Sequence, residues 1–230
     1  MSQRRINSLI KNADLIFSNL RSTPAGSRRV KPVILVGGKS SRFGEDKVNL
    51  NINGELILEG TYRVLKDVFG VEPLFVGRKA LPTYYHVIPD EIVGAGPMGG
   101  LYTALNHTTE NFVFLSACDM PFINEKVLKY MFDNLQDDSL IYLPRFKNGM
   151  IEPIFAFYNK KLLPCVSNKI KEGDFRLRSL LSCGKAQYLK ESEIESLDPE
   201  FLSFFNINTK DDFDKVKKWC TVERDKNSKI

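Results

Sequence analysis

The chain has 230 residues, 43% hydrophobic and 27% charged, with a formal net charge of +5. This balance is typical of a soluble domain with a substantial core, and it argues against disorder or a coiled coil. No apolar run approaches the roughly 18 residues of a membrane span, and no cleavable apolar leader is recognisable, so we expect a cytoplasmic protein without membrane contact. The basic residues are dispersed without a nucleic-acid-binding motif, which favours an anionic small molecule as ligand over nucleic acid.

Residues 1–31 are predicted to form an N-terminal arm, made of an amphipathic helix and a linker. Apolar residues recur there at steps of three and four, from Ile6 to Leu20, and the following RSTPAGSRR is typical of a linker. Polar residues interrupt the apolar face of the helix, so we expect it to pack on the domain or to contact a partner rather than a membrane.

Short apolar strands then alternate with amphipathic helices. The predicted strands are 31–38, 72–77, 84–90, 111–119, 139–145, 151–158 and 204–208. The predicted helices are 58–69, 98–108, 124–135 and 209–220, with Asn124 and Thr209 as N-caps. Alternation of this kind predicts a three-layer, Rossmann-like α/β fold with a mostly parallel central sheet, whose ligands bind at the carboxyl ends of the strands. We assign this domain to residues 32–220 and a basic C-terminal tail to 221–230.

The four cysteines, Cys118, Cys165, Cys183 and Cys220, lie far apart in the sequence without a C-x-x-C pair, and the chain has two histidines. A zinc site is therefore not expected. In a cytoplasmic chain this pattern predicts reduced thiols.

The segment LVGGKSSRFGEDK (35–47) follows the first predicted strand and contains the letters G-K-S. It is not a P-loop, because G-x-x-x-x-G-K-[ST] would require a glycine at the position of Val33. Gly37 and Gly38 would instead let backbone N–H groups approach a nucleotide, while Arg42 and Lys47 add two cations. This combination suits a triphosphate whose charge must be held and then redistributed.

A second glycine motif, GAGPMG (94–99), matches the G-x-G-x-x-G of dinucleotide-binding folds, and Asp119 lies at the expected distance beyond it. Pro97 removes one backbone donor, however, and the motif does not leave directly from a strand. A dinucleotide-dependent oxidoreductase therefore remains as the weaker alternative.

Asp119 closes the strand FVFLSACD (112–119). A carboxylate there is costly unless it is paired or metal-bound, and Mg²⁺ prefers one or two carboxylates together with phosphate oxygens. The alternative is an ordinary turn or N-cap aspartate. Asp90, which follows the preceding strand, could accept hydrogen bonds from a base or ribose.

These segments resemble the molybdenum cofactor guanylyltransferase family (MobA). The motifs that carry the resemblance occur in the family's order: LVGGKSSRFGEDK, GPMGGL, SACDMPFI, EPIFAFY and FNINTKDDF. The first motif alone marks a wider class of nucleotidyltransferases that activate sugars, inositols or polyols, and FNINTKDD narrows the resemblance to MobA. The resemblance spans residues 33–219.

The resemblance implies a nucleotidyltransferase fold and a transfer of GMP from Mg·GTP to the terminal phosphate of molybdopterin, with release of pyrophosphate. It also implies possible contact with other molybdenum cofactor proteins. Its implied nucleotide-binding groups are the main chain of Leu35, Val36 and Gly37 and the side chains of Lys47, Asp90 and Asp119. By the same resemblance Asp119 would also hold Mg²⁺, and Arg42 would neutralise charge on the departing pyrophosphate.

The acceptor would be received by Arg176, in GDFRLRSLL, and by Asn206 and Asn208. The chain departs from the family in L-V-G-G for L-A-G-G, and in Gly77-Arg78 where some members place an asparagine towards the nucleotide. The second departure leaves CTP open as the donor. A catalytically silent nucleotide-binding regulator is a further alternative, which the intact Lys47 and Asp119 disfavour.

Overall fold

A computed structural model of the chain describes residues 29–37, 47–52, 54–77, 81 and 85–227. The side chains of Lys47 and of residues 221–227 are not part of this description. Most of the predicted N-terminal arm, as well as Gly38, Arg42 and Arg78, therefore lies outside the described residues.

Strands and helices alternate along the described residues, as the sequence predicted. The strands are β1 (Val30–Val36), β2 (Asn51–Ile52), β3 (Glu55–Leu56), β4 (Leu74–Gly77), β5 (Val87–Ile88), β6 (Phe112–Ala117), β7 (Ile141–Arg145), β8 (Ala156–Asn159) and β9 (Ala186–Lys190). The α-helices are α1 (Ile57–Phe69), α2 (Gly96–Asn106), α3 (Glu125–Asn134), α4 (Leu163–Lys171), α5 (Glu191–Leu197) and α6 (Lys210–Asn227). Short 3₁₀ helices cover Lys47–Asn49, Lys160–Leu162, Leu177–Cys183 and Leu202–Phe204.

The central sheet has seven strands in the order β5-β4-β1-β6-β8-β7-β9, and β2 and β3 form a separate hairpin. Strands β5, β4, β1 and β6 are parallel, so their carboxyl ends meet at one edge of the sheet. Strand β8 runs antiparallel to both β6 and β7, while β9 is parallel to β7. The mostly parallel sheet of the sequence analysis is thus confirmed.

Two hydrophobic clusters cover opposite faces of the sheet and make the fold three-layered. Alternate residues of β1 point to opposite faces: Ile34 joins one cluster and Leu35 the other. The first cluster includes buried residues of α1, α3 and α5, and the second includes buried residues of α2 and α4. Helices on both faces explain why the central strands read as continuous apolar runs rather than as alternating ones.

Both predicted N-caps are confirmed. The Asn124 side chain accepts the Lys126 N–H at 2.9 Å at the start of α3. At the start of α6 the Thr209 hydroxyl accepts the Asp212 N–H at 3.2 Å, and the Asp212 carboxylate accepts the Thr209 N–H at 2.9 Å. This reciprocal pair satisfies backbone donors that the first turn of a helix leaves unpaired.

The predicted strand at 204–208 is wrong. The N–H groups of Phe204 and Phe205 bond locally, to the carbonyls of Phe201 and Leu202, in place of a neighbouring strand. Other bounds also shift: β8 begins at Ala156, β5 is reduced to Val87–Ile88, and α6 continues past Cys220 to Asn227.

The expectation of reduced thiols is also corrected, because Cys165 and Cys183 form a disulfide. The bond joins α4 to the 3₁₀ helix Leu177–Cys183, and both elements contribute to one hydrophobic cluster through Val166, Leu177 and Leu180. This packing brings the two Cα atoms to 6.3 Å, which is within the range of disulfides. Among the described residues, no helix is long and apolar enough to cross a membrane.

Candidate active site

The carboxyl edge of the parallel strands presents main chain from the end of β1. The side chains of Leu35 and Val36 are buried, at 8% and 0% exposure, whereas Gly37 is exposed. The β1 end is fastened to β6, because the Cys118 N–H donates to the Leu35 carbonyl oxygen at 3.1 Å. Since both side chains face the core, the groups that β1 can offer to a ligand at this edge are those of its main chain.

Gly77 ends β4 directly beside this segment. A Cβ atom at Gly77 would lie 2.5 Å from the Val36 carbonyl oxygen and 3.1 Å from the Gly37 nitrogen, and the residue has φ +154°. The glycine is therefore required by the close approach of two backbones. The sequence analysis considered Gly77 only as a missing polar side chain, but the structure leaves no room for any side chain there.

Gly99, the last glycine of the second glycine motif, and the following Gly100 allow close packing in a similar way. A Cβ at Gly100 would lie 2.6 Å from Cδ2 of Leu35, and one at Gly99 would lie 2.8 Å from the Ile92 carbonyl oxygen. Helix α2 begins at Gly96, and several residues separate it from the end of β5 at Ile88. The motif thus lacks the direct strand-to-helix turn of dinucleotide-binding folds.

Asp90 lies partly exposed in the segment between β5 and α2, and its neighbour Glu91 ties that segment to the helix. The Glu91 carboxylate accepts hydrogen bonds from the Asn106 side chain and contacts the His107 ring, both at 2.8 Å. The Glu91 N–H donates to the Thr103 hydroxyl at 3.0 Å. These bonds hold the backbone that carries Asp90, so its position after β5 is defined.

Asp119 lies in the turn after β6, which is held from two sides. Its carbonyl oxygen accepts the Ile207 N–H at 2.9 Å. The carbonyl oxygen of the next residue, Met120, accepts the buried Thr61 hydroxyl of α1 at 2.9 Å. The turn therefore presents the Asp119 side chain from a braced backbone at the same edge as Gly37.

The Ile207 hydrogen bond also brings the two predicted acceptor asparagines close to Asp119 in the structure. Ile207 is fully buried, in a cluster with Ile57 and Val216, while its neighbours Asn206 and Asn208 are partly or fully exposed. Burial of the central residue thus leaves the two polar ones towards solvent, beside the Asp119 turn.

Arg176 has a partner that the sequence analysis did not assign. Its guanidinium binds both carboxylate oxygens of Asp174, with Nε–Oδ1 at 2.8 Å and Nη2–Oδ2 at 3.1 Å. These hydrogen bonds hold the pKa of the Asp174 carboxyl well below its usual range. Two residues further on, Arg178 reaches the Gly149 carbonyl oxygen at 3.5 Å and so links this segment to the loop between β7 and β8.

Glu152 lies in that same loop, and the sequence analysis assigned it no role. Burial raises the pKa of the Glu152 carboxyl, a hydrogen bond from the Ile154 N–H opposes this, and the negative charge of Asp119 raises it further. In the sequence this glutamate belongs to the motif EPIFAFY, where it directly precedes the proline.

The two predicted phosphate-binding cations, Arg42 and Lys47, are described only in part or not at all. Arg42 lies outside the described residues, and Lys47 is described by its backbone alone, as the first residue of the 3₁₀ helix Lys47–Asn49. Their roles stay predictions. No three His, Cys, Asp or Glu side chains come together as a metal-binding group within the described ranges.

Comparisons with known proteins agree with this arrangement. The family profile described as MobA-like NTP transferase domain matches residues 32–191. A protein of Thermococcus sibiricus, named "Probable molybdenum cofactor guanylyltransferase", is 36% identical over 193 residues, which are 80% of this chain and 96% of that relative. A protein of the same name from Peptoclostridium acidaminophilum is 31% identical and covers 86% of this chain and 92% of its own length.

The fold is shared with solved structures. The crystal structure of molybdopterin-guanine dinucleotide biosynthesis protein A from Archaeoglobus fulgidus superposes with a TM-score of 0.70 at 24% identity, covering 83% of this chain and 98% of that chain. At this identity the likeness establishes the three-layer nucleotidyltransferase fold. The profile match and the two sequence relatives go further: the chain belongs to the molybdenum cofactor guanylyltransferase family of MobA-like nucleotidyltransferases.

Proposed function

We propose that this enzyme transfers GMP from Mg·GTP to the phosphate of molybdopterin, forming the guanine dinucleotide cofactor and pyrophosphate. The observation that carries the proposal is the arrangement at one sheet edge of the Leu35–Gly37 main chain and the Asp119 turn, joined by the Cys118–Leu35 hydrogen bond. The names of the sequence relatives point to a guanylyl group as the group transferred and to the molybdenum cofactor as its acceptor. Contact with other proteins of molybdenum cofactor synthesis and use is part of the same proposal.

In this reaction an oxygen of the acceptor phosphate attacks the α-phosphorus of GTP. The new P–O bond forms as the bond between the α-phosphorus and the β-phosphate oxygen breaks, and pyrophosphate leaves with the negative charge. No protein nucleophile is required, so catalysis depends on positioning and on charge stabilisation. In our proposal Lys47 binds the phosphates and Arg42 neutralises the charge of the departing pyrophosphate.

Asp119 fits a magnesium–nucleotide complex. Mg²⁺ takes few protein carboxylates and completes its coordination with phosphate oxygens and water, so the Asp119 carboxylate together with the phosphates of GTP suits it. When bound, the cation would neutralise developing charge on the phosphates. The braced turn at Asp119 would keep the carboxylate in place while GTP enters and pyrophosphate leaves.

Recognition of the base is assigned to main-chain groups. Residue 77 has no space for a side chain, because its Cβ would collide with the Val36 carbonyl. The N–H and C=O groups near Leu35, Val36 and Gly37 are therefore the base-reading groups in our proposal, with Asp90 contacting the nucleoside. Guanine offers both donors and acceptors to such groups.

In our proposal the acceptor binds beside the Asp119 turn, next to Asn206 and Asn208. Asn206 and Asn208 border the Asp119 turn, and their amide groups can bind phosphate or pterin atoms. We also assign Arg176 to acceptor binding, although its guanidinium already forms an ion pair with the Asp174 carboxylate. Binding of an anionic acceptor there would require Arg176 to share or leave that partner.

The test is incubation of the protein with molybdopterin and either Mg·GTP or Mg·CTP, followed by measurement of pyrophosphate and of product mass. The expected result is pyrophosphate release with GTP and a product heavier by GMP. Asp119→Asn serves as the inactive control. Product formation with CTP alone would contradict the assignment of the base, and no product with either nucleotide would contradict the transferase proposal.

A further inference from the structure

Asp90 leaves the sheet at the same edge as the main chain that we propose to bind the nucleotide. Leu35 of β1 is paired with Val76 of β4, and Val76 with Ile88 of β5, so the three residues form one row across parallel strands. The chain continues beyond this row to Gly37 after β1 and to Asp90 after β5. Neighbouring strands lie about 4.8 Å apart, which puts the ends of β1 and β5 roughly 10 Å from each other. A single bound nucleoside can contact both ends.

The residue after Asp90 is tied to helix α2 at three points. The Glu91 N–H donates to the Thr103 hydroxyl at 3.0 Å. One carboxylate oxygen of Glu91, Oε2, accepts the Asn106 side-chain amide at 2.8 Å, and the other, Oε1, lies 2.8 Å from Nε2 of His107. These three partners share one face of the helix, because positions three and four apart lie on the same side. Glu91 is therefore held along the last turn of α2 and its C-cap.

The part of α2 that holds Glu91 is itself well packed. Thr103 is fully buried, and its hydroxyl donates to the Gly99 carbonyl oxygen at 3.0 Å. A Cβ at Gly99 would lie 2.8 Å from the Ile92 carbonyl oxygen, so the helix and the residue after Glu91 are in close contact. The anchor points can thus resist movement of the segment that carries Asp90.

The position of the Glu91 carboxylate is not one that helix stability favours. The carbonyl groups at the C-terminal end of a helix carry partial negative charge, which repels an anion. The Glu91 side chain is also 37% exposed, so an ion pair with His107 would contribute little to stability. The contacts of Glu91 are therefore better explained by the segment that they hold than by stabilisation of α2.

We propose that Glu91 is a positioning residue for nucleotide binding, which acts by holding Asp90 at the carboxyl edge of the sheet. This inference rests on the proposed function, since it takes from it the contact between Asp90 and the nucleoside. A carboxylate on a loose segment would lose conformational entropy whenever a nucleotide binds, and a segment fixed in advance avoids that cost. Glu91 itself contacts α2 and need not touch the nucleotide.

A double-mutant cycle tests this route of action. Glu91→Ala removes both carboxylate contacts, and its effect on the Kd for Mg·GTP is measured by isothermal titration calorimetry with the full-length protein. The measurement is made in the wild type and again in the Asp90→Ala background. Asp138→Ala is the matched control, since this exposed carboxylate binds the Lys185 ammonium at 2.7 Å just before β7, at the opposite edge of the sheet. Melting temperatures without nucleotide show whether each variant folds.

We expect Glu91→Ala to raise the Kd for Mg·GTP about tenfold, within the range of coupling between residues of one network. In the Asp90→Ala background the same change should raise the Kd by less than about twofold, because the residue through which Glu91 acts is gone. Asp138→Ala should stay within about twofold of the wild type, as distant substitutions do.

A loss of affinity of similar size in both backgrounds, or no loss in either, would overturn the proposal. Wild-type affinity of the Asp90→Ala single variant would overturn it too, because Glu91 would then have no contact to position. If Glu91→Ala does not fold, Glu91→Gln is taken through the same cycle and judged by the same comparison.

The cycle separates this inference from the transferase proposal. A wild-type protein that binds Mg·GTP but transfers nothing to molybdopterin contradicts the proposed function, while the cycle still decides the role of Glu91. A wild-type protein that binds no Mg·GTP overturns both.

Discussion

Replacement of Gly77 by alanine should destabilise the domain and weaken nucleotide binding together. The added Cβ would lie 2.5 Å from the Val36 carbonyl oxygen and 3.1 Å from the Gly37 nitrogen, so β4 or the end of β1 must move. The main chain that moves is the segment proposed to bind the nucleotide. In addition, residue 77 has a backbone φ of +154°, a conformation that residues with a Cβ rarely adopt, so alanine would be strained there.

The size of the effect follows from two contributions. Overpacking of a filled interior costs about 1–3 kcal/mol, and a sparsely populated backbone conformation costs about 1–3 kcal/mol. We expect Gly77→Ala to lower the free energy of unfolding by about 2–4 kcal/mol, since relaxation relieves part of both. For a chain of this size each kcal/mol shifts the melting temperature by roughly 2–4 °C.

Urea unfolding measures the stability, and isothermal titration calorimetry with Mg·GTP measures the affinity. Gly60→Ala is the matched control, because a Cβ at Gly60, near the start of α1, meets nothing within 4 Å. Alanine favours a helix over glycine by about 1 kcal/mol, so this variant should be as stable as the wild type or more stable. If Gly77→Ala unfolds at the wild-type urea concentration and binds Mg·GTP equally well, the packing role of Gly77 is wrong.

Three further predictions concern the charges and the disulfide. Asp119→Asn should nearly abolish pyrophosphate release while leaving urea unfolding unchanged. The reason is that the variant loses the proposed carboxylate ligand of a cation that contributes several kcal/mol to transition-state stabilisation. A folded variant with a near-native rate would refute the metal assignment. Lys47→Ala should raise the activation barrier by about 2–4 kcal/mol, by analogy with other preorganised charge-stabilising groups, and should change thermal stability little. Initial rates measure the first effect and melting curves the second. A variant that loses only stability would mean that Lys47 has a structural role. Reduction of the Cys165–Cys183 disulfide, which closes a loop over a sequence separation of 18, should lower the free energy of unfolding by about 3 kcal/mol. Urea unfolding with and without reductant tests this, with the double variant Cys165→Ser/Cys183→Ser as the reductant-insensitive control.

The predictions that the structure confirmed depend on neighbours in the chain. Burial can be predicted directly from the apolar runs of β1 and β6 and from the helical spacing of apolar residues in α3. The reason is that each of these elements packs against the core. Asn124 and Thr209 were recognisable as caps because a side chain needs only the next helical turn to bond its N–H groups. The failed strand at 204–208 shows the limit of such reasoning: the N–H groups of Phe204 and Phe205 bond locally, and the Ile207 N–H donates to the Asp119 turn in place of a neighbouring strand.

The site divides in the same way between what the sequence by itself determined and what the tertiary structure decided. The sequence determined the alternating α/β order and the acidic residue in the turn after β6, since short stretches encode these features. The neighbours of those residues depend on the strand order β5-β4-β1-β6-β8-β7-β9, which no short stretch contains. Gly77 is needed because β4 lies beside β1. Cys165 and Cys183 form a disulfide because α4 packs on the 3₁₀ helix that follows it. Contacts between strands and between helices therefore determined these neighbours, which the periodicity of the sequence does not encode.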